Sequence, residues 1–342
     1  MSSFKLPQEN LPSVRKSRLL VDILGSLAML VVLNFTALWY LGGYSTHFGY
    51  WTIHNKWQVL EHMEQEVDWL ILGDSSCNQG VMPALFESEL GETAINLCTT
   101  GNMGALGDLW ILEEYIARFG VPHNVLIVHV YDVWHRDVNP VMTGQIPRPW
   151  GFWEAHSFGS AWLEDPQVRR EAFLERFVPL YSLNRTLGSI IRDTVLLRHN
   201  PFVPMWRLEP DGFLPAWEAK PDNVRTSAAE HVSFVSENVF SISYVNDNAM
   251  QEIVELADRL GFTVYLANSP VYEGLYADPA YQAYFAGVFD KLAEFADDSP
   301  NVHYLTAVRT FPAELMQNPD HLIVDGAEQY TLWLIGEILL RR

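Results

Sequence analysis

Cysteine is almost missing from this sequence: Cys77 and Cys98 are the only two among 342 residues, which leaves room for a single disulfide. Basic residues are scarce as well. Lys and Arg number 22 against 42 Asp and Glu, a formal charge of −20. Such a balance argues against nucleic acid as a partner and against a broad contact with anionic lipid headgroups. Internal repeats and low-complexity tracts are absent, and no residue pattern calls for a cofactor. Long apolar runs are missing too, with one exception near the N-terminus. The length suits one large domain, or one domain with an insertion.

The exception is Ile23–Leu41, where Ser26, Asn34 and Thr36 are the only polar residues. A helix of about twenty apolar residues is long enough to cross the hydrocarbon core of a bilayer. Lys5, Arg15, Lys16 and Arg18 precede the run, and the next basic residue is Lys56. By the positive-inside rule residues 1–18 form a cytoplasmic tail and residues 19–43 a single-pass signal anchor. Trp39, Tyr40, Tyr44, Tyr50 and Trp51 fit an aromatic belt at the outer end. The run exceeds an ordinary signal-peptide core and no small-x-small cleavage site follows it. A cleaved signal or a buried core helix are the competing readings. The main domain is expected outside the cytoplasm, periplasmic or extracellular, where a Cys77–Cys98 disulfide is permitted. Two buried, reduced cysteines are the alternative.

Residues 44–66 read as a helical stalk or entry segment, and 67–342 as one α/β domain. Strand-like runs at Trp69–Leu72, Ala94–Leu97, Val125–Val130, Thr263–Ala267 and Val302–Leu305 alternate with helical patterns at 80–90, Gly104–Phe119, Asn246–Leu260, Tyr281–Ala296 and Gly326–Leu340. That rhythm predicts a doubly wound parallel sheet covered by helices, a three-layer arrangement with its site at the carboxyl ends of the strands. Residues 137–235, rich in proline and tryptophan, interrupt it. They read as a helical insertion, with helices around Gln167–Arg176 and Leu183–Leu197.

The sharpest local signal is Gly73-Asp74-Ser75-Ser76 directly after the first strand. A serine at a strand-to-helix turn is exposed beside backbone N–H groups that can stabilise an oxyanion. Near the other end a histidine, in Asp320-His321-Leu322, lies in a loop before the last helix. Each has a plainer reading, Ser75 as a helix cap and His321 as a structural histidine. His129, Asp132 and His135 are spaced as His-x-x-Asp-x-x-His, but His129 falls in a strand and His135 beyond it. No single face carries all three, and no metal site is expected. The tryptophans between 134 and 217 read as core or interface anchors before sugar platforms.

Gly73-Asp74-Ser75 resembles the first block of the SGNH/GDSL hydrolase superfamily. Asn96-Leu97-Cys98-Thr99-Thr100-Gly101-Asn102 resembles its second block, and His321 with Gly326-Ala327 its last. The resemblance implies Ser75 as nucleophile, His321 as general base, and an oxyanion hole from Gly101 and the Ser75 N–H; Asn102 is the candidate for a side-chain donor that the resemblance itself does not place. Two departures are plain. Asn318 stands three residues before the histidine where the superfamily has Asp, with Asp320 adjacent, so either could orient the ring. No Gly-x-Asn-Asp block follows the third strand. Together with the single anchor, these departures resemble the membrane-anchored subset that works on cell-envelope polymers beside a membrane-bound O-acyltransferase. The implied activity is O-acyl transfer to, or ester removal from, a cell-surface glycan or envelope polymer. A non-catalytic adaptor docking such an acyltransferase, and a plain esterase on the secreted side, are the alternatives.

Overall fold

The computed structural model describes residues 13–41, 45, 47–158, 163–196 and 206–342. Most of the expected tail, together with Gly43 and Tyr44, lies outside them. In chain order the strands are β1 (Trp69–Gly73), β2 (Ala94–Asn96), β3 (Asn124–His129), β4 (Thr263–Asn268), β5 (Val271–Tyr272), β6 (Val302–Leu305), β7 (Thr310–Phe311), β8 (Met316–Asn318) and β9 (His321–Leu322). Five of them form one parallel sheet in the order β2-β1-β3-β4-β6. The protein is therefore α/β with a central parallel sheet. The chain steps from β1 outward to β2, then back across to β3. In open α/β sheets ligands bind at the carboxyl ends flanking such a reversal.

Successive strand side chains point to opposite faces, so a strand covered on both sides must be apolar throughout. Leu70, Leu72, Val125, Ile127, Val264 and Leu266 enter one core, with helices α2 (Phe48–His62), α5 (Gly104–Phe119), Tyr244–Leu260 and Pro279–Asp297. Trp69, Ile71, Leu126, Val128, Tyr265 and Ala267 enter the other, with α3 (Ser75–Gly80), α4 (Pro83–Leu90) and the last helix, Val324–Leu339. Each fully buried large side chain stabilises the fold by about 1.5–3 kcal/mol. Helix Tyr244–Leu260 ends where the sequence says it should, at Gly261 with φ 80°.

Helix α1 (Ser13–Leu41) contains a stretch, Arg18–Ala37, of 20 residues with mean hydropathy 2.1. It is long and apolar enough to cross a membrane, and Leu19, Val21, Leu24 and Phe35 are exposed on it. Trp39 is exposed near its end. Tyr50 and Trp51 correct the aromatic-belt expectation: both are buried in α2, and Trp51 meets Trp206 with ring centroids 5.5 Å apart. Alongside them Ile53, Trp57 and Leu60 make α2 part of the first core. Lys56 is buried there as well, its Nζ donating to Asn96 Oδ1 and to the carbonyls of Asn96 and Gly212.

Within 137–235, residues from Trp206 onward are threaded through the domain. Asn96 N–H donates to Asp211 O (2.9 Å), Leu214 N–H to Asn78 O (3.1 Å) and Lys220 N–H to Met316 O (2.9 Å). Helix Pro221–Glu237 then packs along β8. Trp134 and Trp153 are buried; Trp150 and Trp217 are exposed.

Candidate active site

Gly73 closes β1 with φ 142°, and a Cβ built there would fall 2.0 Å from Val128 O on β3. Only glycine permits that approach. The next residue, Asp74, is buried and caps α3, accepting from Ser76 N–H (2.8 Å), Ser76 Oγ–H (2.6 Å) and Val130 N–H (2.7 Å). One carboxylate thus starts the helix and fastens the end of β1 to the end of β3. It also tells the two serines apart. Ser76 is buried and committed to Asp74, whereas Ser75 is partly exposed and its hydroxyl has no hydrogen bond among the described residues.

The loop after β2 lies beside this turn. Thr99 N–H donates to Gly73 O (2.8 Å), and Cys98 is disulfide-bonded to Cys77 of α3 with Cα atoms 5.8 Å apart. Of the two readings of the cysteines, the bonded one is found. Asn96 adds side-chain hydrogen bonds to Cys77 O and Val81 O. A Cβ on Gly101 would lie 3.9 Å from Asp74 Cβ and 2.8 Å from Val133 Cγ2. The absence of a side chain at 101 therefore lets this loop approach Val133 in the loop after β3, while the distance to Asp74 is an ordinary contact. Asn102 follows with a partly exposed side chain, its carbonyl accepting from Asn139 N–H (2.8 Å).

The loop expected around His321 is instead a tight antiparallel hairpin of β8 and β9, with Asn318 paired to His321 and Pro319-Asp320 at its tip. That geometry brings both candidate orienters to the ring: His321 Nδ1 is 2.7 Å from Asn318 Oδ1 and 2.7 Å from Asp320 Oδ1. Neighbouring side chains of an extended segment would diverge, but a turn lets Asp320 fold back. Helix α3 packs against β9, so the segment carrying Ser75 and the strand carrying His321 are neighbours. Burial pulls the imidazole pKa down, but the charge and hydrogen bond of Asp320, with Asp74 behind it, hold it above the ordinary histidine value. In Asp320→Asn the midpoint of the His321 ring titration, followed by NMR, is expected to fall. In Asn318→Ala it should stay. Equal shifts in both variants would deny Asp320 this role.

Below the turn lies a network that the sequence motifs did not show. His129 Nε2 is 2.6 Å from Asp108 Oδ2, and its Nδ1 lies 3.5 Å from Asp74 Oδ2, all three side chains about 1 % exposed. Burial lowers the pKa of His129, yet the two carboxylates overcome that and push it up to about 10. Burial raises that of Asp74, and His129, Ser76 and the Val130 N–H more than reverse it. One signal was available in the sequence: Asp108 sits between Leu106 and Leu109 on the apolar stretch of α5, and a carboxylate buried there needs a partner. Towards the surface Asp132 pairs with Arg136, and Tyr131 Oη is 2.8 Å from His231 Nδ1. Asn246 holds this loop, donating to Val133 O and Arg136 O and accepting from Ala105 N–H.

The His129, Asp132 and His135 side chains take different partners: His129 faces Asp108 and Asp74, Asp132 pairs with Arg136, and His135 Nδ1 lies 2.9 Å from Ser241 O. Among the described residues no group of three or more His, Cys, Asp or Glu could hold a metal ion. The cavity of about 760 Å³ between α2 and residues 206–210 shares no lining residue with the site. Compared with known proteins, the chain matches no protein-family model and no curated sequence.

Proposed function

We propose that the protein is a membrane-anchored, SGNH-like serine enzyme of acyl esters. It would transfer an O-acyl group to, or remove one from, a cell-surface glycan or related envelope polymer. The observation that carries this reading is the packing of α3, which opens on a partly exposed Ser75, against the strand that carries His321, whose Nδ1 is tied to Asp320 and Asn318 on the same hairpin. With Nδ1 engaged, Nε2 is left to act as a base, the division of labour in serine hydrolases. The strand order and the two cores support the finer reading of a doubly wound, three-layer SGNH-like domain. The exposed apolar helix, the basic residues before it and the disulfide support an N-in anchor in the cell (inner) membrane with the domain on its oxidising side.

In this mechanism Ser75 Oγ attacks the ester carbonyl carbon while His321 Nε2 takes the hydroxyl proton. The backbone N–H groups of Ser75 and Gly101, with the Asn102 amide, would receive the oxyanion. Collapse of the tetrahedral intermediate breaks the carbon–oxygen ester bond, and the leaving alcohol takes the proton from His321. Water or a polymer hydroxyl then attacks the acyl-serine by the same path reversed. Asp320 stabilises the imidazolium formed at each step, a role Asn318 cannot fill because its amide carries no charge.

A second reading has its own observation. No hydrogen bond joins Ser75 Oγ to His321 among the described residues, as expected of an SGNH-fold adaptor that docks a membrane-bound O-acyltransferase and leaves chemistry to it. Resting enzymes also show loosened catalytic contacts. Labelling by a fluorophosphonate probe separates the two. The full chain in detergent is expected to label in wild type and to lose labelling in both Ser75→Ala and His321→Ala. A folded wild-type chain that does not label would favour the adaptor.

A further inference from the structure

Part of the insertion is fastened to the spanning helix. Asn34 Nδ2 donates to Phe177 O (3.1 Å), and Asn34 Oδ1 accepts from Leu180 N–H (3.2 Å). These backbone groups flank Val178, where helix Pro166–Phe177 stops and the short helix Pro179–Ser182 begins. One amide side chain inside an apolar run therefore satisfies two polar groups at a helix junction. An unpaired polar group there would be costly in a bilayer. Asn34 also fixes depth. At about 1.5 Å rise per residue, it lies about 5–10 Å below the outer end of the apolar run at Ala37–Leu41.

Around that clamp the insertion shows an apolar surface that stays exposed among the described residues. Trp150, Phe173 and Phe177 form an aromatic cluster with centroid separations of 5.6, 5.3 and 4.8 Å, yet each is 38–46 % exposed. Tyr181 is exposed beside them, and Ile191, Val195 and Leu196 continue the surface along helix Asn184–Val195. That helix is amphipathic, and its apolar side is shared: Ile190 is buried and Leu187 half-buried within the protein, while Ile191 and Val195 are left exposed. Amphipathic helices that lie in a membrane surface bury their apolar face by about 5–10 Å, the depth at which Asn34 holds the Phe177–Leu180 junction that precedes this helix.

We infer that the segment from Asp165 to Leu196, with Trp150, forms a second membrane contact: a monotopic platform whose aromatic cluster and amphipathic helix lie in the outer bilayer interface beside α1. The occupant of the apolar surface is lipid. The acyl chains and glycerol backbone would meet Trp150, Phe173 and Phe177, aromatic residues suited to that zone. The domain would stand on the membrane at two points rather than swing from one helix, with the serine site held at a fixed height above the lipid. The inference rests on the reading of α1 as a membrane span.

Both are tested in the full chain reconstituted in phospholipid vesicles. Nitroxides are placed one at a time through Phe173→Cys, Ile191→Cys and Leu196→Cys, with Leu27→Cys as the span control and Leu340→Cys as the aqueous control. Cys77 and Cys98 are disulfide-bonded and take no label under non-reducing conditions. Collision with oxygen, which enters lipid, is compared with collision with a water-soluble nickel chelate. The ratio at 173, 191 and 196 is expected several-fold above that at 340 and below that at 27. A nickel-accessible 173, 191 and 196 with 27 in lipid would overturn the platform and leave the span standing. Exclusion of both reagents would overturn it in favour of a protein partner on the same face. An aqueous 27 would remove the span itself, and the platform with it.

Discussion

Ser75→Ala is expected to lower hydrolysis of p-nitrophenyl acetate by about 10⁴-fold or more, His321→Ala by a comparable factor, and the double variant by no more than either alone. Such non-additivity is what a serine and its base acting as one unit must show: once either is gone, nothing is left for the other to do. Two independent contributions would multiply instead. Ser76 supplies an internal control. Its hydroxyl lies next in sequence but is buried and donates to Asp74, so it cannot stand in for Ser75. Ser76→Ala should keep the greater part of the rate and lose some stability. A rate that survives Ser75→Ala would place the reaction elsewhere, and a double variant far slower than both singles would break the proposed pairing.

His129→Leu is expected to destabilise the domain by about 3–5 kcal/mol, the cost of removing one partner from a buried ion network. At roughly 2–4 °C per kcal/mol for a large domain, the melting temperature would fall by roughly 6–20 °C. The leucine leaves Asp74 and Asp108 buried at the sheet edge with no cation between them. The pH dependence follows from the direction of each shift. His129 titrates higher folded than unfolded, so its contribution is full below about 6.5 and is lost as the pH rises towards about 10. Asp74 titrates lower folded than unfolded, so its contribution is full above the ordinary carboxylate range and is lost on acidification. Melts of wild type should therefore plateau in mild acid and decline on the alkaline side. In the variant the alkaline decline should flatten. Superimposable melting curves of the two proteins across that range would refute a charged His129.

The strands were legible because both of their faces are covered. Val125–Val130 could hardly be anything else, and the structure places β3 within one residue of it at either end. Helix Gly104–Phe119 is found with the same limits, its start marked by glycine and its end by Gly120. Tyr50 and Trp51 misled, because an aromatic residue near a span reads the same whether it faces headgroups or a protein core. The hairpin around His321 was hidden for another reason: strands of two or three residues have no period to detect. Its consequence, that Asn318 and Asp320 reach the same nitrogen, depends on a turn that Pro319-Asp320 alone does not specify. The Asp74–His129–Asp108 network draws on β1, β3 and α5. Contacts so far apart in sequence leave no local pattern, apart from a charge on a face that should have none.

The disulfide joins the helix that carries Ser75 to the loop that carries Gly101, across 21 residues. Closing a loop of that size constrains the unfolded chain by about 3 kcal/mol, but its larger consequence concerns timing. The bond is stable only in an oxidising compartment. In a reducing compartment the Ser75 helix and the Gly101 loop would be held together only by hydrogen bonds, from Thr99 N–H to Gly73 O and from the Asn96 amide to Cys77 O and Val81 O. If the chain is exported as proposed, the covalent tie would be added only on the far side of the membrane, and the surroundings of Ser75 would be locked after the chain has left behind the thioesters and esters of the cell that made it.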